Sequence, residues 1–212
     1  MLTLALIITL LVILTIFWRL YSKRQTLPCP TWLSWLVELD NPLAPAHKAD
    51  AIVKNLNLHQ GMSVLDIGCG TGRVTIPIAQ AVGPTGEVTA MDIQLGMLEK
   101  TKQKATYLGL TNIQFLHGEI GAYSLAANKY DRAILVTVLG EIPKQNPALN
   151  HIFNALKPGG ILSITEIIFD PHFQSRRKVS ALALAAGFAQ KQTIGKWFAY
   201  TTNFEKPPSS PP

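Results

Sequence analysis

Val64-Leu65-Asp66-Ile67-Gly68-Cys69-Gly70-Thr71-Gly72-Arg73 is the stretch on which the fold turns. A short apolar run carries an acid near its end, glycines follow at 68, 70 and 72, and a helical pattern resumes behind them. Glycine is needed where a backbone bends sharply and where a ligand must approach main-chain atoms closely. The same strand–turn–helix arrangement binds dinucleotide phosphates when its glycines read G-x-G-x-x-G. Here the third glycine comes one residue early, and Arg73 stands where the last glycine of the dinucleotide pattern would be. That spacing disfavours a nicotinamide oxidoreductase. A glycine triplet alone is a weak signal; Asp66 just before it and Asp92 at the end of the next apolar run make it a stronger one.

Outward from this turn the apolar pattern alternates in period. Strands are expected at 63–67, 87–93, 113–116, 132–138 and 161–168. Helices are expected at 46–58, 71–82, 94–108, 146–156 and 175–186, with Pro77 bending or interrupting the second. Lys157-Pro158-Gly159-Gly160 reads as a helix stop and turn. The segments 188–194 and 197–204 read as a hairpin turning at Gly195-Lys196. Such alternation predicts an α/β fold: a Rossmann-like, mostly parallel sheet with helices on both faces and a C-terminal antiparallel hairpin. Ligands of such sheets bind at the carboxyl ends of the strands.

In order and spacing these motifs resemble class I S-adenosylmethionine (SAM)-dependent methyltransferases. The layout is similar to the branch holding the ubiquinone/menaquinone C-methyltransferases and several phospholipid N-methyltransferases. The resemblance covers roughly 46–206 and rests on Asp66 to Gly72, Asp92, Gly118-Glu119, Leu156 to Gly160 and Ala186-Gly187-Phe188. It implies SAM as cofactor, held by Asp66, Gly68, Cys69, Gly70, Gly72, Asp92, Ile93, Glu119 and Ile120. Gly68 and Gly70 would let the backbone pass under the methionyl and ribose parts, and Asp66 would help hold the amino end. Asp92 would accept both ribose hydroxyls, a bidentate task suited to a carboxylate. Ile93 would pack on the adenine face, with Glu119 and Ile120 at its edge. The bland alternatives are that Asp92 only caps a helix and that Glu119 is a solvated loop charge.

Methyl transfer from a sulfonium is an in-line displacement that asks chiefly for alignment in a dry site. An oxygen or carbon acceptor also needs a base. Glu141, after the fourth expected strand, is the first candidate; Asp170, His172 and His47 are the others, and for each of the four a cap, a turn or a surface charge is the more ordinary role. The cluster Arg176-Arg177-Lys178 is either a solvated helix face or a contact for anionic head groups.

The first residues have another character. From Leu2 to Trp18 only Thr3, Thr9 and Thr15 are polar. About 20 residues of helix span a bilayer core, and Trp18, Arg19 and Tyr21 suit the head-group level. The positive charges Arg19, Lys23 and Arg24 follow the run, unlike those of a signal peptide, and hold its C-terminal side in the cytoplasm. A transmembrane anchor is therefore expected over 1–21, with the N-terminus outside and the catalytic domain cytoplasmic. A proline-marked linker over 22–45 follows, in which Trp32 and Trp35 lie at the interface or cap the domain core. The domain itself is expected over 46–206, and a disordered tail over 207–212. Cys29 is a plain thiol or carries an acyl chain; it and Cys69 form no metal-ligand spacing and no disulfide framework. Charged residues are 15% of the chain, mean hydropathy is +0.20 and the net charge is +6, so part of the chain leaves water. With no basic run interleaved with aromatics, nucleic acid is not expected. The expected partners are the lipid bilayer and a small or lipid-like methyl acceptor. A membrane-associated protein methyltransferase and a non-catalytic SAM-binding scaffold are the alternatives.

Overall fold

Strands separated by helices run the same way, and burying both faces of the sheet they form requires helices on each side. The computed structural model describes residues 47–122 and 125–208, with Thr9 and Ile13. In chain order the elements are α1 (Ala49–Asn55), β1 (Ser63–Ile67), α2 (Thr75–Val82), β2 (Glu87–Asp92), α3 (Leu95–Tyr107), β3 (Ile113–His117) and β4 (Tyr130–Val136). A 3₁₀ turn (Leu139–Glu141), α4 (Gln145–Ala155), β5 (Leu156–Ile167), α5 (Arg176–Ala185), β6 (Ala189–Lys196) and β7 (Ala199–Glu205) complete the set. The strands form a single sheet in the order β3-β2-β1-β4-β5-β7-β6, with β7 antiparallel to both of its neighbours. The strand order reverses between β1 and β4, which opens a crevice beyond their carboxyl ends.

Alternation along each strand sorts the core into two layers. Val64, Val88 and Ile134 pack with Ile52, Leu56, Ile78 and Val82 of the helices on one face. Leu65, Ile67, Ala133 and Leu135 point the other way, against Leu149 and Ile152 of α4 and Val179 and Ala183 of α5. β7 contributes Tyr200 and Phe204 to this second layer, and Asn203 ties it to α1 through a 3.1 Å bond to the Asn55 carbonyl.

Several boundaries differ from expectation, and the main differences have local reasons. α1 stops early because Asn57 takes a left-handed φ of 47° just past its cap. α2 begins at Thr75, so Pro77 falls in its first turn, where its missing N–H has no helical partner to lose, and no bend is needed. β4 ends at Val136 because Thr137 adopts φ 56°. The β5 difference is more than a shift. Lys157 to Gly160 forms no separate turn but a bulge inside β5: Leu156 pairs with Tyr130, and Ile161 next pairs with Arg132. Lys206 pins the bulge, its carbonyl accepting from Gly159 N–H (2.8 Å) and its own N–H donating to Gly160 (2.9 Å).

The C-terminal hairpin turns at Trp197-Phe198 rather than at Gly195-Lys196, because Lys196 is still paired with Ala199. The expected anchor and linker lie outside the described residues except for Thr9 and Ile13, as does most of the expected tail. Among the described residues no helix is long and apolar enough to cross a membrane.

Gly159 sits at φ 77° with nothing within 4 Å of the place a Cβ would occupy. Gly159→Ala therefore carries a backbone cost alone, about 1–2 kcal/mol. Urea titration of the two proteins should show a lower midpoint with an unchanged slope.

Candidate active site

The glycine turn is zipped to the neighbouring strand before it meets any ligand. Gly68 and Cys69 both donate their N–H to the Met91 carbonyl, at 2.8 and 3.0 Å. Gly68 has φ 70°, and a side chain there would collide with Val138. Asp92 holds the other side: Oδ2 accepts the Gly70 N–H at 2.9 Å and Oδ1 accepts the Gln94 N–H at 2.8 Å. It thus caps α3 and tethers the glycine turn together. A carboxylate oxygen has more than one acceptor position, and Asp92 also lines the crevice, so the cap does not exhaust it. Burial raises its pKa, against the pull of these two N–H groups.

The crevice has an empty volume of about 910 Å³ counting the part open to solvent, within the general size of ligand pockets. The β1 end contributes Ile67, Gly68 and Gly70; the β2 end and the start of α3 contribute Met91 to Gln94 and Met97. Gly118, Glu119 and Ile120 follow β3; Val136, Thr137 and Val138 close β4; Glu141, Ile142, Pro143 and Asp170 complete the lining. Of the residues expected at a cofactor, Gly68, Gly70, Asp92, Ile93, Glu119 and Ile120 are here. Ile93 is 49% exposed, an apolar face set in the crevice wall.

Asp66, Cys69 and Gly72 are not in the lining. Asp66 is buried and accepts the Thr75 hydroxyl at 2.6 Å, so its carboxyl secures the start of α2. Burial pushes its pKa up to about 7, with Asp92 adding to the rise and the Thr75 hydroxyl and Arg73 opposing it. The Cys69 side chain packs with Ala90 and Leu98, and burial raises its thiol far above the ordinary range. Gly72 donates its N–H to Cys69 and closes the turn.

At the other end three of the four candidate bases come together. Glu141 and Asp170 line the crevice, and His172 lies behind them, buried, with Nδ1 3.7 Å from Glu141 Oε1 and 3.9 Å from Asp170 Oδ1. These are ion-pair separations, too long for hydrogen bonds. Asp170 shapes the loop by accepting the His172 N–H at 2.6 Å. His47 is elsewhere, its carbonyl bonded to Arg73. Burial raises the Glu141 pKa to about 8, and the charges of Asp170, Asp92 and Glu166 add to it.

Two members of this end were missed in the sequence. Glu166, buried in β5, accepts the Gln174 N–H, and its pKa is raised to about 8, mainly by burial. An acid within the apolar run Ile164 to Ile168 was the available signal. Thr137 is β-branched and left-handed, an outlier that costs on the order of 1–3 kcal/mol. No motif announces it.

The crevice lining thus carries the carboxyl groups of Asp92, Glu119, Glu141 and Asp170, with burial raising the pKa of Asp92 and of Glu141, and an apolar shelf at Ile93. A cation that also carries a flat ring and vicinal hydroxyls fits this set. A family profile described as a methyltransferase domain matches residues 58–202. The chain belongs to this methyltransferase family. With membership come the class, a SAM-dependent methyltransferase, and the cofactor, S-adenosylmethionine. Among curated relatives the chain is 35% identical over 115 residues to demethylmenaquinone methyltransferase of Staphylococcus aureus (strain JH9). That alignment covers 54% of this chain and 47% of the relative, so the chain spans about half the length of the curated relatives it matches. A SAM-dependent methyltransferase from Aquifex aeolicus superposes with a TM-score of 0.73 at 21% identity, over 84% of this chain and 99% of its own. The [4+2]-cyclase SpnF superposes at 0.67 and 18%, over 76% and 80%. At such identities the likeness is one of fold.

The sign of the pH dependence follows from the raised carboxyls. Asp66, Glu141 and Glu166 hold protons in the folded chain that the unfolded chain releases near pH 4. Their contribution to stability is complete on the acid side and is lost as the pH rises from about 4 to about 8. A bound cation favours the ionised forms. SAM should accordingly bind more tightly as the pH rises through this window and release protons as it binds. Calorimetric titrations in buffers of different ionisation enthalpy measure that release, and Glu141→Gln should reduce it.

Proposed function

We propose that this chain transfers a methyl group from SAM to a small, amphiphilic acceptor of the quinone-precursor or phospholipid head-group kind. The observation that carries this reading is one continuous crevice with Asp92 in one part of its lining and the Glu141–Asp170 pair in another. SAM, when bound, supplies an electrophilic methyl group on a sulfonium. Asp92 would hold the ribose hydroxyls, Ile93 the adenine face, and Glu119 with Ile120 its edge; Gly68 and Gly70 let the main chain approach the ligand.

Glu141 is the base of this proposal. A carboxyl raised to about 8 is well matched to removing a proton near neutral pH, because a base works best when its pKa lies near the operating pH. Ile142, Pro143, Val136 and Val138 supply apolar surface beside it, which suits an acceptor ring or chain and keeps water from the reacting atoms. Behind it, His172 packs against both carboxyls, its Nδ1 3.7 Å from Glu141 Oε1 and 3.9 Å from Asp170 Oδ1. The likeness to demethylmenaquinone methyltransferase supports the quinone-precursor kind of acceptor.

The apolar run Leu2 to Trp18, with its basic residues on the C-terminal side, supports a single-pass anchor that keeps this site at the cytoplasmic face of the membrane. A membrane-delivered acceptor gives that anchor a purpose.

The test is transfer of labelled methyl from SAM to membrane lipid extracts and to soluble phenols and amines. Asp92→Ala should abolish SAM binding in a folded protein. Glu141→Gln should keep SAM binding but lower kcat by about 10²-fold or more. Unchanged SAM affinity in Asp92→Ala removes the cofactor assignment, and full turnover by Glu141→Gln removes the base.

A further inference from the structure

Hairpin turns of two residues are made of glycine, asparagine and aspartate, whose backbones tolerate the required angles. The turn between β6 and β7 is Trp197-Phe198. Neither residue has a positive φ, and the left-handed position is taken by Gly195, at φ 96°. Backbone geometry therefore gives no reason for an indole at this tip. Packing accounts for half of the pair: Phe198 rests on Ile167 and Ala199. Trp197 remains 69% exposed, its ring edge-on to Phe198 with centroids 5.6 Å apart.

The tip has company. Ile168 N–H donates to the Phe198 carbonyl at 2.7 Å, and the next residue, Phe169, is 62% exposed. Phe169 immediately precedes Asp170, which lines the crevice. Arg176, the first residue of α5, bonds the Gly195 carbonyl at 2.8 Å and so draws the start of that helix to the hairpin. Arg177, Lys178 and Lys196 nearby are exposed. Exposed aromatic rings therefore stand beside a basic rim, at the carboxyl end of the sheet, the end at which the crevice opens.

We propose that this Trp197–Phe169 tip, with Arg177, Lys178 and Lys196, docks on an anionic lipid bilayer. Tryptophan is favoured at the head-group level, where its ring is apolar and its N–H stays wet. Lysine and arginine at the same level are drawn to negatively charged head groups. A protein partner would need a broader apolar surface than a two-residue tip and one phenylalanine provide. The docking is separate from the expected N-terminal anchor and orients the crevice mouth toward the lipid. It does not rest on which acceptor is methylated.

The four tryptophans are Trp18, Trp32, Trp35 and Trp197, so the full-length variant Trp18→Phe/Trp32→Phe/Trp35→Phe reports on Trp197 alone. Its emission is followed with vesicles of phosphatidylcholine and phosphatidylglycerol carrying brominated acyl chains, against phosphatidylcholine alone. Docking predicts a blue shift and loss of most of the emission on the anionic vesicles. Both effects should weaken in high salt and in the further variant Arg177→Gln/Lys178→Gln/Lys196→Gln. Water-like, unquenched emission from a chain that co-sediments with the vesicles overturns the proposal, because the anchor would then hold the chain without the tip. So does failure to bind at all, or a blue shift that grows with protein concentration in the absence of lipid, which would mark a second copy as the occupant. Quenching needs no turnover, so this test and the methyl-transfer assay fail independently. Retained SAM binding in Trp197→Ser shows that the tip is not needed for the fold.

Discussion

The site depends on one carboxylate bridging two backbones. Asp92 ends β2, and its two oxygens take N–H groups from the glycine turn after β1 and from the start of α3. Those N–H groups belong to main chain that must change direction at the mouth of the crevice, where no strand or helix partner is available. Without an acceptor they would be left to solvent, and the turn would lose its tie to the sheet. The position of the crevice follows from the same constraint. Strand order reverses between β1 and β4, and Asp92 holds the β1 turn back toward β2 while Val138 fills the space beside Gly68. The opening between them is where a ligand reaches main-chain atoms.

The carboxyl groups around this opening carry an energetic cost. Asp66, Glu141 and Glu166 all have pKa values raised chiefly by burial, which means that their ionised forms are disfavoured in the ligand-free fold. Glu141, the one of the three that lines the crevice, favours a cation placed beside it. Residues selected for stability alone would be neutral there; the Asp66 carboxyl, bonded to a threonine hydroxyl, gives α2 an attachment that a neutral side chain could also provide. Thr137 adds to the pattern, since its left-handed backbone sits in the crevice lining. Strain and destabilised charge are thus concentrated in one place, while the rest of the sheet obeys ordinary alternation.

Legibility in the sequence divides along the same line. The two-layer sheet was readable because Val64, Leu65 and Ile67 alternate between faces that are both buried, and because Pro or Gly follows the ends of α2, α3, α4 and α5. The Asp66 to Gly72 stretch and Asp92 were readable because glycines and acids are placed by local backbone geometry. What failed was tertiary. Lys157 to Gly160 has the composition of a turn, and only pairing of Leu156 with Tyr130 shows that the strand has already begun. Cys69 and Gly72 belong to the motif yet turn away from the crevice, because spacing along a chain does not tell which members face a ligand. Glu166 was hidden for the opposite reason: its strand reads as apolar, and a single acid in such a run has no local signature of where it points.

The hairpin tip shows what such a mismatch can signal. The expected turn at Gly195-Lys196 rested on sound turn chemistry, and Gly195 does supply the left-handed angle. Yet pairing continues through Lys196, and the tip falls on the two residues least suited to water. The register that pairs Lys196 with Ala199 runs on through Tyr200 and Phe204, both fully buried, and the aromatic tip is a consequence of it. A chain that buries Phe204 and Tyr200 but leaves Trp197 in solvent has spent an exposed indole where lysine or asparagine would serve the fold as well. An apolar surface outside the domain, met at the carboxyl end of the sheet where the crevice also opens, gives that choice a reason.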